Sequence, residues 1–235
     1  MPQIALIEDL TDESVPGGSN LMIEYDAPSL WYDASITIAG NWLRTGGDCA
    51  YFAMAQTVEQ IRVRLRRLGL DVDSLERHDK LRLFDCYSIT LGQKPNEKWS
   101  LDSLKVGDVS IQISKWMKDP AFDKPGMGIN DDLSTMGRFN DEKNWVEFLL
   151  TRNIPAGRKL SAGSAGIDAY VNGVHSDWVY KRLEASYDGI VDFKFDESGD
   201  QPTTLMRIRR MRNAQFDGRW HQLKLAENFE VILEK

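Results

Sequence analysis

Apolar segments of strand length alternate along this sequence with amphipathic segments of helix length. The apolar runs at 20–26 (NLMIEYD), 49–55 (CAYFAMA) and 81–89 (LRLFDCYSI) are typical of strands buried on both faces of a sheet. Residues 33–44 and 57–68 carry apolar side chains at helical spacing, and a glycine turn follows each segment. Strands separated by helices of this length predict βαβ units, and hence an α/β protein with a mostly parallel sheet.

The last third of the chain has a different pattern. Helices are predicted at 141–150 and 175–185 from the spacing of their apolar residues. Residues 189–195, 204–212 and 228–234 then read as three strands, separated by acidic or glycine-containing turns. Such closely spaced strands predict an antiparallel meander that completes the sheet.

Two segments have weaker patterns. Residues 93–128 predict the start of a helix, then a strand and a second helix, and could be a segment that varies between relatives. Residues 159–165 (KLSAGSA) are mostly small and predict a strand or a loop.

Length and composition limit the number of domains and the compartment. With 235 residues, 42% of them hydrophobic, the chain is predicted to form one domain over residues 1–235. It has no apolar run long enough to cross a bilayer, and its acidic N-terminus lacks the basic region of a signal peptide. Its two cysteines, Cys49 and Cys86, have no metal-ligand spacing and fit a reducing compartment. We therefore expect a cytoplasmic protein without a membrane partner.

The first predicted strand leads into the segment that carries the chemistry of a well-known protein class. Ile23 and Glu24 end the strand, eight residues (YDAPSLWY) follow, and a helix and a glycine turn come next. This order resembles the RecA-like P-loop ATPases of the KaiC-like branch, which is common in archaea. The resemblance covers most of residues 12–235. It implies a three-layer α/β/α RecA-like P-loop fold with a mostly parallel central sheet and antiparallel C-terminal strands.

In that family the strand is followed by G-x-x-x-x-G-K-[ST], whose backbone N–H groups surround the phosphates of ATP. The corresponding positions here are Tyr25, Asp26, Ala27, Pro28, Ser29, Leu30, Trp31 and Tyr32. Tyr25 and Leu30 stand at the glycine positions, Trp31 replaces the lysine, and Tyr32 replaces the Ser or Thr that holds magnesium. Bulky side chains and the absence of a cation leave no conventional ATP site. The resemblance thus implies a degenerate Walker A motif.

Three further motifs of the family are altered or incomplete. The catalytic glutamate pair that precedes the second helix corresponds to Ala55 and Gln56, and glutamine cannot act as a general base. Asp131, in GINDDLSTM, corresponds to the Walker B aspartate that supports magnesium. Residues 210–212 (RMR) resemble a late K-M-R stretch that approaches the nucleotide of a neighbouring subunit in active relatives. The resemblance therefore implies a protein that has lost ATP hydrolysis and that binds neither ATP nor magnesium.

Such a protein is expected to be a non-catalytic regulatory or accessory protein that acts by protein association. Its expected partner is another RecA-like ATPase or a second copy of itself. One alternative is a sensory module that binds a small ligand in a remodelled nucleotide pocket lined by Tyr25, Trp31 and Tyr32. Another is an atypical ATPase that holds magnesium through carboxylates. Its candidate ligands are Glu24, Asp26, Asp131 and Asp132.

Basic and histidine residues suggest other kinds of site. Eight arginines could form a surface for nucleic-acid phosphates: Arg62, Arg64, Arg66, Arg67, Arg207, Arg209, Arg210 and Arg212. The net charge of −7 favours instead arginines that pair with acidic residues, so nucleic acid is not favoured as a partner. His78, His175 and His221 are far apart in sequence and show no metal-ligand spacing, so no metal site is expected.

Overall fold

Strands and helices alternate through a computed structural model of the chain, which describes residues 3–122, 124, 126–161 and 163–234. The strands of the described residues are β1 (Ser19–Tyr25), β2 (Cys49–Ala53), β3 (Leu81–Asp85), β4 (Trp99–Ser100), β5 (Met127–Asn130), β6 (Ala165–Val171), β7 (Gly189–Asp196), β8 (Thr203–Met211), β9 (His221–Leu225) and β10 (Val231–Leu233). Their α-helices are α1 (Trp31–Arg44), α2 (Val58–Arg67), α3 (Val72–Arg77), α4 (Tyr87–Thr90), α5 (Val106–Trp116), α6 (Leu133–Gly137), α7 (Glu142–Phe148), α8 (Ile154–Leu160) and α9 (Asp177–Glu184). A π-helical segment, Leu149–Asn153, joins α7 to α8, and short 3₁₀ turns lie at Glu8–Leu10 and Pro120–Phe122.

The ten strands form one sheet in the order β10-β9-β8-β7-β1-β6-β5-β2-β3-β4. The seven strands from β7 to β4 are parallel, and β8, β9 and β10 are antiparallel. This confirms the predicted fold class, a mostly parallel sheet with antiparallel C-terminal strands. Strand β1 lies between β6 and β7, so the chain leaves it towards one edge of the sheet and later returns to its other side.

Each face of the sheet is covered by its own hydrophobic cluster. Leu21 and Ile23 of β1 pack in a cluster that includes the buried faces of α1 and α2. Met22, which points to the opposite face, packs in a second cluster with Trp145 of α7 and Val179 of α9. Because successive side chains of a strand point to opposite faces, the uninterrupted apolar run of β1 is what a sheet covered on both sides requires. The α/β/α layering agrees with the prediction.

The prediction for residues 93–128 is wrong in one respect. The predicted strand between two helices does not form, and residues 106–116 instead make the single helix α5. Ile alternates with Ser and Gln at 110–114, a pattern that is typical of a strand. Val109 and Trp116, seven residues apart, are nevertheless buried on one helical face. The predicted strand at 81–89 also ends early, because a short helix begins at Tyr87. Residues 123 and 125 of this predicted variable segment lie outside the described residues.

Three strands have no counterpart in the sequence prediction, and the shortest of them is β4 (Trp99–Ser100). Strand β6, in the centre of the sheet, reads AGIDAYV, and its aspartate interrupts the apolar run that a central strand normally shows. Strand β9 pairs with β8 and β10 and reads HQLKL, which is mostly polar. Within the predicted strand or loop at 159–165, helix α8 continues to Leu160, and residue 162 lies outside the described residues. Among the residues that the structure describes, no helix has the length and apolar character needed to span a bilayer.

Helix α2 begins with a capping box formed by Thr57 and Gln60. The N–H of Gln60 donates to Oγ1 of Thr57 (3.2 Å), and the N–H of Thr57 donates to Oε1 of Gln60 (2.9 Å). We expect Thr57→Ala to lower the free energy of unfolding by about 1 kcal/mol, because the N–H groups of the first turn lose an acceptor. Thr57→Ser keeps the hydroxyl and is expected to change it by only a few tenths of that value. Urea denaturation measures both, and an equal loss in the two variants would contradict the role of the cap.

Candidate functional site

The connection from β1 to α1 lies at the point of the sheet where open α/β folds place their ligands. The connection that leaves β1 runs to β2 on one side of it, whereas the connection that leaves the adjacent strand β6 runs to β7 on its other side, so the two diverge at the carboxyl end of β1. Residues 26–30 bridge the end of β1 and the first turn of α1. The predicted loop positions, from Tyr25 to Tyr32, are therefore placed at this switch point.

The loop is tied down by its own hydrogen bonds. The carboxylate of Asp26 accepts from Nδ2 of Asn172 and from the N–H of Phe195, both at 2.9 Å. The N–H of Ser29 donates to the carbonyl of Asp26 (2.8 Å), and that of Leu30 donates to a threonine hydroxyl of β8 (3.1 Å). The next residue after Ala27 is a proline, which has no N–H. Few backbone donors of this loop are thus left for a phosphate group.

Trp31 fills the space beneath the loop. Its side chain has no exposed surface, and its Nε1 donates to the backbone carbonyl of Asp131 at 2.8 Å. Its ring packs edge-on against Phe193 of β7, with ring centroids 5.3 Å apart, and is 6.1 Å from the ring of Tyr25. An indole with this many partners is a packed core side chain, not the wall of an open pocket.

Three tyrosines complete the packing at this edge. The hydroxyls of Tyr25 and Tyr32 are 2.7 Å apart, and burial raises the pKa of both phenols well above the ordinary value, so both stay protonated. The hydroxyl of Tyr51 lies 2.7 Å from Oγ of Ser35 and accepts from Nε2 of Gln56 at 3.2 Å. Gln56, one of the two predicted glutamate-pair positions, is therefore used to hold a tyrosine.

Tyr25 and Trp31 have no exposed surface, and the ring of Tyr25 lies against the rings of both Trp31 and Tyr32. These three side chains therefore occupy the predicted remodelled pocket themselves. Sequence reasoning missed two members of this group. Tyr51 and Phe193 come from β2 and β7, and only the packing of the sheet brings them to the loop.

Asp131 lies directly after β5 and is fully buried. Its Oδ1 accepts from the N–H groups of Met54 (2.7 Å) and Ala55 (3.3 Å), so it fixes the end of β2. Its Oδ2 is buried and has no hydrogen-bond partner among the described residues. Burial raises the pKa of Asp131 to about 7, and the charge of Asp132 adds to this effect. The carboxylate at the Walker B position thus works as a structural acceptor beneath Trp31.

The other proposed magnesium ligands also have partners within the chain. Asp132 caps helix α6 by accepting from the N–H of Ser134 (3.0 Å). Glu24 forms an ion pair with Arg209, and burial raises its pKa to about 7 although that arginine lowers it. Across residues 3–122, 124, 126–161 and 163–234, no group of three or more His, Cys, Asp or Glu side chains could hold a metal ion.

The three histidines do not approach one another in a common site. His175 is beside Glu142, His221 is beside Asp217, and Nδ1 of His78 contacts the carbonyl of Ser74 in its own helix.

The arginines that were candidates for a basic surface interact with other residues of the same chain. Arg62 binds Glu76 and Glu97 at 2.8 and 2.7 Å. The remaining pairs are Arg64 with Asp33, Arg66 with Asp73, Arg67 over the ring of Phe229, Arg207 with Asp192, Arg209 with Glu24 and Glu184, Arg210 with the carbonyls of Glu184 and Tyr187, and Arg212 with Asp188. Residues 210–212 thus fix the turn before β7 instead of projecting from it.

No protein-family model matches the sequence, and no curated protein matches it. Solved structures do match. The KaiC-like protein PH0186 of the hyperthermophilic archaeon Pyrococcus horikoshii has a TM-score of 0.71 and 13% identity, over 100% of this chain and 97% of that one. The flagellar accessory protein FlaH of Methanocaldococcus jannaschii has a TM-score of 0.72 and 13% identity, over 100% of this chain and 99% of that one. The chain therefore has the RecA-like α/β/α fold of these two archaeal proteins, as its order of motifs predicts.

Proposed function

We propose that this chain is a RecA-fold protein that neither binds nor hydrolyses ATP and that acts as a regulatory or accessory protein by associating with another protein. The observation that carries the proposal is the position of Trp31. The sequence resemblance aligns Trp31 with the phosphate-binding lysine of the family, and in the structure its ring is buried and its Nε1 donates to the backbone carbonyl of Asp131.

Two physical consequences of that position support the loss of nucleotide binding. First, a triphosphate carries several negative charges, and a phosphate-binding loop without lysine offers no compensating cation. Second, the phosphates would have to displace a fully buried indole and break its hydrogen bond to Asp131, which would cost about 3–5 kcal/mol of packing free energy. Both effects oppose binding at the same place.

Two observations support an accessory role for the fold without its nucleotide. FlaH, which shares the fold, is described as a flagellar accessory protein. The segment after β6 leaves Val174 and Trp178 about half exposed on the carboxyl side of the sheet. Large exposed aromatic side chains are enriched where proteins meet. The proposed partner is a second copy of this chain or an active RecA-fold ATPase.

Calorimetry with ATP and magnesium tests the loss of nucleotide binding. We expect no heat of binding at nucleotide concentrations up to about 1 mM, a range in which even a weak site would respond. FlaH, titrated under the same conditions, serves as the comparison protein of the same fold. Binding of ATP with micromolar affinity would overturn this part of the proposal.

Association is tested separately. Sedimentation velocity over a wide concentration range detects self-association, and cross-linking in the native cell followed by mass spectrometry detects a RecA-fold partner. We expect Trp178→Glu to weaken whichever contact is found, because it places a charge on the exposed aromatic surface. Gln201→Glu, at an exposed position before β8, makes the same change of charge away from this surface and is the control. A chain that stays monomeric and unlinked would contradict the association.

A further inference from the structure

A cavity of about 90 Å³ lies on the face of the sheet opposite α1, beneath helix α5. Its floor is made of short residues from neighbouring strands, among them Ala50 of β2, Gly128 of β5 and Gly166 of β6. A methyl group placed on the Cα of Gly128 would meet no atom within 4 Å, so the strand leaves real space there. Because the cavity lies on the face of the sheet opposite α1, it is separate from the loop that contains Trp31.

The roof and the sides of the cavity are mostly apolar and include several aromatic side chains. Helix α5 contributes Val109, Ile113 and Trp116, and Phe52 of β2 faces them. The ring of Phe52 lies 5.9 Å from that of Trp116. Water would find few hydrogen-bond partners against these walls, while an aromatic ring could make edge-to-face contacts with them.

One end of the cavity is polar. The carboxylate of Asp168 is buried, with 4% of the residue exposed, and it lines the cavity together with Asn130 and Asn153. Its Oδ1 accepts from Nδ2 of Asn130 (2.6 Å), and its Oδ2 accepts from Nδ2 of Asn153 (3.0 Å) and from the hydroxyl of Tyr187 (2.6 Å). A carboxylate can accept about four hydrogen bonds, so these three donors leave room for one more.

The helix beside this polar end is irregular. Residues Leu149–Asn153 form a π-helical turn between α7 and α8, and Asn153 is its last residue. A π-helical turn holds one residue more than the α-helical turn it replaces and occurs frequently at functional sites. Here it accompanies the placement of the Asn153 amide on Asp168. The buried carboxylate and the π-helical turn are separate observations at the same end of the cavity.

We propose that this cavity binds a small, uncharged aromatic molecule whose single hydrogen-bond donor faces Asp168. The volume of about 90 Å³ is below the about 150 Å³ of an engineered apolar cavity that holds benzene, which limits the ligand to a single ring. The carboxylate selects a hydroxyl or amine donor and disfavours an anion at its end of the cavity, and Arg82 and Lys124, which also line the cavity, disfavour a cation. The ligand class is thus a phenol or an aromatic amine, and the site is independent of nucleotide.

Titration of the full chain with phenol tests the proposal, with toluene as the probe of similar shape that lacks a donor. We expect phenol to bind with a dissociation constant of about 1 mM or lower and to shift the NMR signals of residues that line the cavity. Toluene is expected to bind about tenfold more weakly, because the hydrogen bond to Asp168 is not formed. Equal binding of the two probes would overturn the assignment of the donor.

Two glycine variants show where the probe binds. Gly128→Val fills the cavity from its floor, where the structure has open space, and is expected to abolish phenol binding while the chain stays folded. Gly107→Ala changes an exposed glycine at the start of α5, which also faces open space, and is expected to bind phenol as the unchanged chain does. Unchanged binding in Gly128→Val, or no saturable binding by the original chain, would refute the cavity as the site.

Discussion

Trp31→Ala is expected to lower the free energy of unfolding by about 3–5 kcal/mol, the largest effect of a single substitution at the candidate site. The indole is fully buried against Phe193 and Tyr25, so its removal leaves a cavity that these rings can fill only in part. The carbonyl of Asp131 also loses the donor that Nε1 supplies at 2.8 Å.

Urea denaturation at neutral pH measures this loss. Trp178→Ala is the matched control, because it removes the same side chain from a position where 49% of the residue is exposed, and it is expected to cost about 1 kcal/mol or less. Trp31→Phe keeps a ring but not the N–H, and is expected to fall between the two. If Trp31→Ala were as mild as Trp178→Ala, the indole would not be a packed part of the fold, and the loop could open to admit a ligand.

Trp31→Ala is not expected to restore nucleotide binding. The substitution creates space beneath the loop but supplies no positive charge, and Asp26 still ties the loop to Asn172 and Phe195. Space alone does not make a phosphate site, because the phosphates need donors and a cation to replace their water.

The elements around β1 could be predicted because the sequence specifies them locally. The apolar run of β1 and the capping box of α2 depend on residues that are close in sequence. The order of these elements also placed the loop and Asp131 at the carboxyl edge of the sheet, where the structure has them. The contact between Trp31 and Asp131 could not be predicted in this way, since the two residues are 100 positions apart.

Strand β6 was not predicted because it contains Asp168, whose charge is atypical of a central strand. The strand tolerates it because Asn130, Asn153 and Tyr187 surround the carboxylate with donors. These donors come from β5, from the π-helical turn and from the segment before β7, and no local pattern links them to β6. Asp168, a charged residue in a central strand, thus lies at the cavity for which we propose a ligand. Residues that depart from local sequence preferences are expected at functional sites.

Asp131→Asn is expected to stabilise the chain at pH 8 by about 2–4 kcal/mol and to change its stability little at pH 4. The carboxyl of an unfolded aspartate loses its proton near pH 3.9. Burial raises the pKa of the folded group to about 7, so the folded chain keeps the proton that the unfolded chain releases between these values. The stability contributed by Asp131 is therefore full below about pH 4 and is lost as the pH rises towards 7. Asparagine has no such titration, and its carbonyl oxygen can still accept from Met54 and Ala55.

Thermal unfolding of the original chain and of the variant between pH 4 and pH 8 measures this difference. The pKa of Glu24 is also raised to about 7, but Glu24 is present in both proteins and contributes equally to the pH dependence of their stability. Asp200→Asn, at an exposed position, is the control and is expected to change stability by about 0.5 kcal/mol or less at every pH. A structural acceptor beneath Trp31 is improved by losing its charge, so a variant that is destabilised at pH 8 would contradict the raised pKa of Asp131 in the folded chain.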